Sequence, residues 1–136
     1  MCAKNDTSHV IRLLPGEDLL VSIRQFLIKE NILAGWIASC AGSLSEYTMR
    51  FANERQAATR NGYFEIINLT GTLSVNGSHL HICVSDNTGK TTGGHLLKGC
   101  KIYTTAEIVL IESGKYIFTR EPDGSTPWNE LQVKER

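Results

Sequence analysis

The 136-residue sequence predicts an α+β fold built on a mostly antiparallel β-sheet of six or seven strands. One segment has the apolar periodicity of an amphipathic helix, and several others alternate apolar and polar residues as half-buried strands do. Most of the strand segments are separated by short turn sequences rich in Gly, Asn and Asp. Together, these three observations favour an antiparallel sheet over a parallel α/β arrangement.

The first two elements are a strand and a helix. Residues 10–14 are mostly apolar and stop at Pro15-Gly16, which predicts a short strand followed by a turn. Residues 17–30 carry an apolar stripe at helical spacing, so they predict a helix, with Asn31 as its C-cap.

Residues 34–42 are rich in small side chains and predict a buried strand that another backbone approaches closely. Large apolar side chains occupy every second position of residues 47–52, which predicts a half-buried strand. A loop is predicted to follow, to about Asn61-Gly62.

Residues 63–75 predict a strand with a fault in its alternation. Its apolar residues change from even to odd positions between Ile66 and Ile67. A β-bulge at this point would return all of them to the core face, and it would also rotate Glu65 onto the opposite face. The following Asn76-Gly77 predicts a two-residue type I′ turn, because Asn and Gly tolerate the positive φ that such a turn needs.

The type I′ turn would pair Ser74 with His79 and Thr72 with His81. One face of the hairpin is then apolar, as a core face is. The other is polar but nearly uncharged, which is typical of a pocket wall or a subunit contact; it carries Asn68, Thr70, Thr72, Ser74, His79, His81, Cys83 and Ser85.

Three of the four histidines fall in one short stretch of the chain. His79 and His81 are two residues apart, so on a strand they project from the same face, about 6.5–7 Å apart. His95 follows Gly93-Gly94 in a glycine-rich excursion over residues 91–99, and these glycines would let its backbone approach the strand. Three imidazoles with an open fourth position resemble a catalytic zinc site more than a structural one. The sequence therefore predicts a metal site at His79, His81 and His95, with one zinc ion per subunit.

Other interpretations of this stretch stay open. The His-x-His pair could be ordinary polar residues at a subunit contact, and Cys83 on the same face is expected to be a small filler. Glu65 is the carboxylate that the bulge would bring near the site, as a candidate acid or base. Its alternative is an ion pair with Arg12 or Arg50.

The rest of the chain predicts a further hairpin and an extension. Residues 101–111 and 116–120 alternate as two strands across Ser113-Gly114. The residues after them are expected to form a docked or loose tail. The whole chain is predicted to be one domain, 1–136, with its core at about 8–121 and a C-terminal extension at 122–136.

Composition restricts the possible functions. Fourteen basic residues balance fourteen acidic ones, and the densest basic stretch, Arg50, Arg55 and Arg60, is interrupted by Glu54. Dedicated DNA-binding domains usually have a basic patch. The glycine motifs of nucleotide-binding loops are absent.

No apolar run reaches the length of a membrane span and no signal peptide is recognisable, so a cytoplasmic location is predicted. The four cysteines lack Cys-x-x-Cys spacing and are expected to be reduced.

Several segments in this order resemble the PPC (plants and prokaryotes conserved) domain: residues 12–18, 41–44 and 62–73, then His79-Leu80-His81, Ser85-Asp86, Gly93-Gly94-His95-Leu96 and Gly99-Cys100. The resemblance covers nearly the whole chain. It implies a mostly antiparallel sheet with flanking helices, assembled as a homotrimer. The PPC fold is also similar to that of acetolactate decarboxylase and of a related ester hydrolase. Both use a three-histidine zinc centre, which the three histidines here match in type and order.

The resemblance also implies DNA as a partner. Plant PPC domains accompany AT-hook motifs in nuclear DNA-binding proteins, and free-standing prokaryotic versions are often labelled as DNA-binding. This chain has no AT-hook and has three histidines that the plant versions generally lack, so it resembles the prokaryotic type. Its balanced charge predicts weak binding to DNA.

Three functional hypotheses follow. The first is a metal-binding homotrimer, a DNA-associated regulatory PPC protein without an AT-hook. The second is a small zinc-dependent enzyme, decarboxylase-like or hydrolase-like, with a small-molecule ligand at the three histidines. The third is a structural trimer whose histidines line an interface. Whether the chain is an enzyme stays open at this point.

Overall fold

The structure, a computed structural model, describes residues 5–136. Within them the chain forms one helix and eight strands in this order: β1 (Thr7–Leu13), α1 (Leu19–Lys29), β2 (Gly35–Arg50), β3 (Ala58–Leu73), β4 (His79–Ser85), β5 (Thr91–Leu96), β6 (Lys101–Glu112), β7 (Tyr116–Pro122) and β8 (Asn129–Glu135). The predicted α+β class is confirmed. The strand count exceeds the prediction because the glycine-rich excursion and the C-terminal tail both contain strands.

Six strands form one antiparallel sheet in the order β1-β6-β2-β3-β4-β5, and β7 pairs with β8 in a second, two-stranded sheet. β2 also pairs with β5, through Met49 with Leu96 and Arg50 with His95, so part of the sheet closes on itself. Gly94 permits this closure, because a Cβ at that position would lie 2.8 Å from the Arg50 carbonyl oxygen.

Helix α1 packs its apolar stripe into the core. Leu19, Ile23 and Leu27 are buried in one cluster with side chains from the six-stranded sheet. Asp18 caps the helix: its Oδ1 accepts from the Val21 N–H at 3.0 Å, and its Oδ2 accepts from the Gly99 N–H at 2.7 Å. The helix start is thereby tied to the segment between β5 and β6. The predicted helix is confirmed, and Asn31 follows its C-cap in the left-handed conformation with φ 50°.

The central strands are longer than predicted. Residues 34–42 and 47–52 were expected as separate strands, but β2 runs through both, with register shifts between Leu44 and Glu46. The predicted loop to Asn61-Gly62 is likewise too long, because β3 begins at Ala58. The close backbone approach expected at the small residues is confirmed: a Cβ on Gly42 would lie 2.2 Å from the Thr105 carbonyl oxygen.

The predicted β3–β4 register is wrong by two residues. Thr72 pairs with His79 and Thr70 with His81, so five residues, 74–78, connect the strands instead of two. Asn76 does not have positive φ, which excludes a type I′ turn. The residues of this connection form hydrogen bonds with other segments. The Val75 N–H donates to the Ile32 carbonyl, and the Asn76 side chain donates to the Phe118 carbonyl. A shift of two keeps the β4 side chains, including both histidines, on their predicted faces.

The bulge predicted near Ile66-Ile67 is present as a register shift between Ile66 and Asn68. Its effect differs from the prediction, because Ile67 is the extra residue and its side chain is 57% exposed, away from the core. Glu65 pairs with Ser43 on β2 and with Ser85 on β4.

The predicted hairpin across Ser113-Gly114 is also wrong. β6 lies between β1 and β2 and pairs with both, so its two edges are occupied and β7 has no place beside it. The chain turns away at Ser113, whose N–H donates to the Ala34 carbonyl. β7 then pairs along its whole length with β8, in a unit called here the C-terminal hairpin, from Tyr116 with Glu135 to Pro122 with Asn129.

Candidate metal centre

Two adjacent strands bring the predicted histidines together. His79 and His81 lie on β4, and His95 lies on β5 directly opposite His81. The excursion predicted for residues 91–99 is therefore a paired strand over most of its length, and this pairing positions the third imidazole. We call His79, His81 and His95 the three-histidine group.

The imidazoles are close enough to share an ion. Their ring centroids are 4.8 Å apart for His79 and His81, 5.1 Å for His79 and His95, and 5.8 Å for His81 and His95. The Nε2 atoms of His79 and His81 are 3.1 Å apart, and one nitrogen from each ring lies within 4.8 Å of the others. Tetrahedral zinc separates its nitrogen ligands by about 3.3–3.4 Å, given Zn–N bonds of about 2.0–2.1 Å. Small side-chain rotations would fit one ion.

The donor set also fits such an ion. Among residues 5–136 this is the one group of three or more His, Cys, Asp or Glu side chains that is close enough to hold a metal. It contains imidazoles and no carboxylate, a set that suits zinc and other transition metals better than magnesium or calcium. Three protein ligands leave a fourth position open to water or another molecule.

Burial and neighbouring charges lower the pKa of two of the imidazoles. Desolvation lowers the pKa of His79 below its usual value, and His81, Arg120 and Arg50 lower it further, while Glu130 opposes them. Desolvation also lowers the pKa of His95, with further lowering by His79, Arg50 and His81. The neutral imidazole is the form that ligates metals, so these shifts favour metal binding at neutral pH.

Gly71 lets β3 approach the site. It has φ 140°, in the region that favours glycine, and a Cβ there would lie 1.9 Å from the His79 carbonyl oxygen. Together with Gly94 on β5, it holds the two flanking strands close to the histidine strand.

A cavity of about 520 Å³ adjoins the three-histidine group. His79 and His95 form part of its lining, and Arg50, Arg120, Trp128 and Glu130 form much of the rest. The Arg50 guanidinium carbon lies 5.4 Å from the centre of the Trp128 ring, and Arg120 Nη2 donates to Thr72 Oγ1 at 2.7 Å. We call this space the histidine cavity.

Sequence reasoning missed the contribution of the C-terminal hairpin to this cavity. Arg120, Trp128 and Glu130 lie 25 or more residues after His95, and no motif or spacing links them to it. The hairpin position depends on contacts made elsewhere, such as the bond from the Phe118 N–H to the Leu33 carbonyl.

Other predicted candidates lie apart from the group. Glu65 is exposed and pairs with Ser85, four residues along β4 from His81 and hence about 13 Å away. Within residues 5–136 it forms no ion pair with Arg12, whose Nε donates to Thr105 Oγ1, or with Arg50. Cys83 lies on the same strand but is not one of the clustered ligands.

No helix within the described residues is long and apolar enough to cross a membrane.

The cysteines among residues 5–136 are free thiols, as predicted: Cys40, Cys83 and Cys100. Cys2 lies outside the described residues. Burial raises the pKa of Cys40 to about 11 and that of Cys100 to about 11.

Comparisons with known proteins cover almost the whole chain. A family model described as the Plants and Prokaryotes Conserved (PCC) domain matches residues 2–114. The bifunctional protein GlmU of Synechococcus sp. (strain JA-3-3Ab) is 44% identical over 126 residues, which are 93% of this chain and 20% of that protein. This chain therefore spans about a fifth of the length of the curated relatives it matches.

Solved structures match over similar lengths. A hypothetical protein from Salmonella cholerae-suis has a TM-score of 0.95 and 36% identity, covering 99% of this chain and 98% of that one. A candidate DNA-binding protein from Bacteroides thetaiotaomicron has a TM-score of 0.78 and 26% identity over 92% and 91% of the chains. A metal-containing protein from Archaeoglobus fulgidus has a TM-score of 0.79 over 93% of both chains; at 22% identity this likeness concerns the fold alone.

Proposed function

This chain belongs to the Plants and Prokaryotes Conserved (PCC) domain family, and from that premise we propose that it is a single-domain metal-binding protein in which His79, His81 and His95 hold one zinc ion per subunit. The observation that carries the proposal is the convergence of three imidazoles, from two paired strands, within 4.8 Å of one another. The Archaeoglobus protein, described as containing metal, shares the fold on which the three histidines lie here.

The assembly we propose is a homotrimer, formed through the sheet face that α1 leaves uncovered. Large apolar side chains on this face alternate with buried residues of β2, β3 and β6, and they are exposed: Trp36, Tyr63, Ile67 and Tyr103. The rings of Tyr63 on β3 and Tyr103 on β6 lie 5.0 Å apart across β2, so these two side chains form one exposed aromatic surface. Exposed apolar patches of this kind mark interaction surfaces. Light scattering should give three times the 15.1 kDa protomer mass, and a stable monomer at micromolar concentration would contradict the proposal.

Family membership extends the proposal to a DNA-associated regulatory role without an AT-hook. The Bacteroides relative, a candidate DNA-binding protein, supports it. The charge distribution predicts weak affinity, because basic and acidic residues are equal in number and Arg50 faces Trp128 in the histidine cavity. We expect a dissociation constant for duplex DNA of about 10⁻⁴ M or weaker at physiological salt. Micromolar binding with a steep salt dependence would instead indicate that assembly concentrates positive charge on one face.

The second candidate function is a small zinc-dependent lyase or hydrolase. It is favoured by the histidine cavity, which provides space for a small molecule beside the open ligand position, with two guanidinium groups in its lining. Bound zinc would supply a Lewis acid there, to polarise a carbonyl or activate water. The chain's own residues would hold the metal and orient the ligand. Glu65 would act as acid or base only if a second subunit or a rearrangement brought its own carboxylate to the cavity, whereas Glu130 already lines it.

The deciding experiment is metal analysis of protein purified without an affinity tag. We expect about one zinc per protomer in the wild type and almost none in His81→Ala. His9→Ala is the matched control, since His9 lies on β1 and bonds Glu112 at 3.1 Å, outside the group. Equal metal content in all three proteins would refute the metal site. Turnover of carbonyl or ester substrates by the zinc-loaded wild type, lost in His81→Ala, would then favour the enzyme over the regulatory protein.

A further inference from the structure

The C-terminal hairpin adds positive charge to the histidine cavity. Its β7 strand contributes Arg120 to the lining, to which Arg50 at the end of β2 also belongs. The family match ends at residue 114, before the hairpin begins, so this wall belongs to the part of the chain beyond the matched domain.

Neither guanidinium group is neutralised. No carboxylate of residues 5–136 lies within 4.0 Å of Arg50 or Arg120. Glu130 also lines the cavity, but it is bonded to the Thr126 hydroxyl and not to either arginine. The two guanidinium groups therefore outnumber the one carboxylate in the lining.

Two donors in the lining also lack acceptors. Arg120 Nε and Ser78 Oγ are buried, and neither has a hydrogen-bond partner in the part of the chain that the structure describes. Buried polar atoms are almost always hydrogen-bonded, so these two unpaired atoms show that the wall around Arg120 is not fully satisfied by the chain itself. A guanidinium group offers its Nε and Nη donors as a fork that suits carboxylate and phosphate oxygens.

The chain positions Arg120 closely. Its side chain crosses Gly77, where an added Cβ would lie 2.9 Å from Arg120 Cγ, and its Nη2 is fixed by the bond to Thr72 Oγ1. Trp128, 63% exposed and stacked against Arg50, provides a flat apolar surface at the same opening.

We propose that the histidine cavity binds a small organic anion, whose carboxylate or phosphate group is held by Arg50 and Arg120 and whose apolar part lies against Trp128. This deepens the proposed function and rests on it for the metal at the imidazole end of the cavity. The anion site itself is built from side chains outside the three-histidine group, so it can be tested without metal.

The test measures binding of benzoate and phenyl phosphate by isothermal titration calorimetry, with benzamide as an uncharged probe of similar size. Zinc-loaded and zinc-free protein are both titrated. We expect at least one anion to bind about tenfold or more tightly than benzamide in both forms. The tighter of the two anions identifies the carboxylate or the phosphate as the preferred group.

Three variants locate the binding. Arg120→Gln and Arg50→Gln should each weaken anion binding about tenfold or more, whereas Arg55→Gln, on the exposed loop after β2, should bind as the wild type does. Circular dichroism and thermal unfolding check each variant, and Arg50→Gln decides the matter if Arg120→Gln fails to fold.

The outcomes separate this inference from the proposed function. Anion binding that survives both arginine substitutions, or benzamide binding as tight as that of the anions, would overturn the inference even if zinc is bound. Arginine-dependent anion binding in a protein that never takes up zinc would support the inference and refute the metal site. Zinc uptake together with arginine-dependent binding supports both.

Discussion

The histidine strand β4 and the C-terminal hairpin form opposite sides of one cavity, yet they are held in place differently. β4 alternates buried Leu80, Ile82 and Val84 with its outward histidines, and it pairs with a strand on each side. The hairpin has no fully buried residue in either strand and pairs only within itself. The metal ligands therefore rest on the core, whereas Arg120 and Trp128 belong to a hairpin that a few hydrogen bonds tie to the rest of the chain.

This difference indicates which side of the cavity is rigid and which side can move. Segments with few buried apolar contacts open locally at lower free energy than the core does. We expect the hairpin to open more readily than β4. The cavity would then have one rigid side that holds a metal and one adjustable side that admits a ligand.

The largest expected contrast is between truncations of an apolar side chain in each of the two regions. Ile82→Ala, at a side chain only 2% exposed, should lower the free energy of unfolding by about 2–5 kcal/mol because it leaves a cavity in the core. Val133→Ala on β8, at a side chain 53% exposed, should lower it by about 0.5 kcal/mol or less. Urea unfolding measures both. Comparable losses would mean that the hairpin is part of the cooperative core.

A smaller effect is expected at the junction between the regions. Ser74 Oγ donates to the Phe118 carbonyl at 3.0 Å and accepts from the Asn76 N–H at 3.1 Å, so it joins the β3–β4 connection to β7. Ser74→Ala should cost about 1 kcal/mol of stability. Hydrogen exchange should then speed up in β7 and β8 while the β4 amides keep their protection; faster exchange in both regions would contradict independent opening.

The smallest expected effect is a change in the reactivity of the Cys100 thiol, which is buried in the core and therefore reports on its opening. Burial raises the pKa of Cys100 to about 11 from 9.0, so at pH 8 its thiolate should be about 100-fold scarcer than that of an exposed cysteine. Iodoacetamide labelling followed by peptide mass spectrometry should show slow reaction that quickens as pH rises towards 11. Ile82→Ala should accelerate it at pH 8, and Ser74→Ala should leave it unchanged. Acceleration by Ser74→Ala would show that hairpin opening exposes the core.

The sequence predicted the histidine side of the site because its signals are local. The two-residue spacing of His79 and His81 determines their common face, and even the two-residue error in register left that face unchanged. The apolar face of β4 and the stripe of α1 were predicted for the same reason. Ile67 was misplaced because alternation alone does not tell which residue of a bulge is the extra one.

The arginine side could not be predicted from local signals. The position of β7 depends on β6 having both edges occupied and on bonds from Phe118 to distant segments. Such pairings are decided by the whole sheet order. Arg120 and Trp128 therefore carried no recognisable role until the fold brought them opposite the histidines.

The short pairing between β2 and β5 also affects how copies of this chain can associate. It covers only the last two residues of β5, so among residues 5–136 the other four residues of that strand keep a free edge, and β1 is the free edge at the far end of the sheet. An unpaired edge is a template on which further strands can add, as in fibre growth. With seven residues, β1 offers the longer of these two templates. Edge-to-edge addition is therefore expected at β1 before β5, and the β2–β5 pairing shortens the second template without removing it.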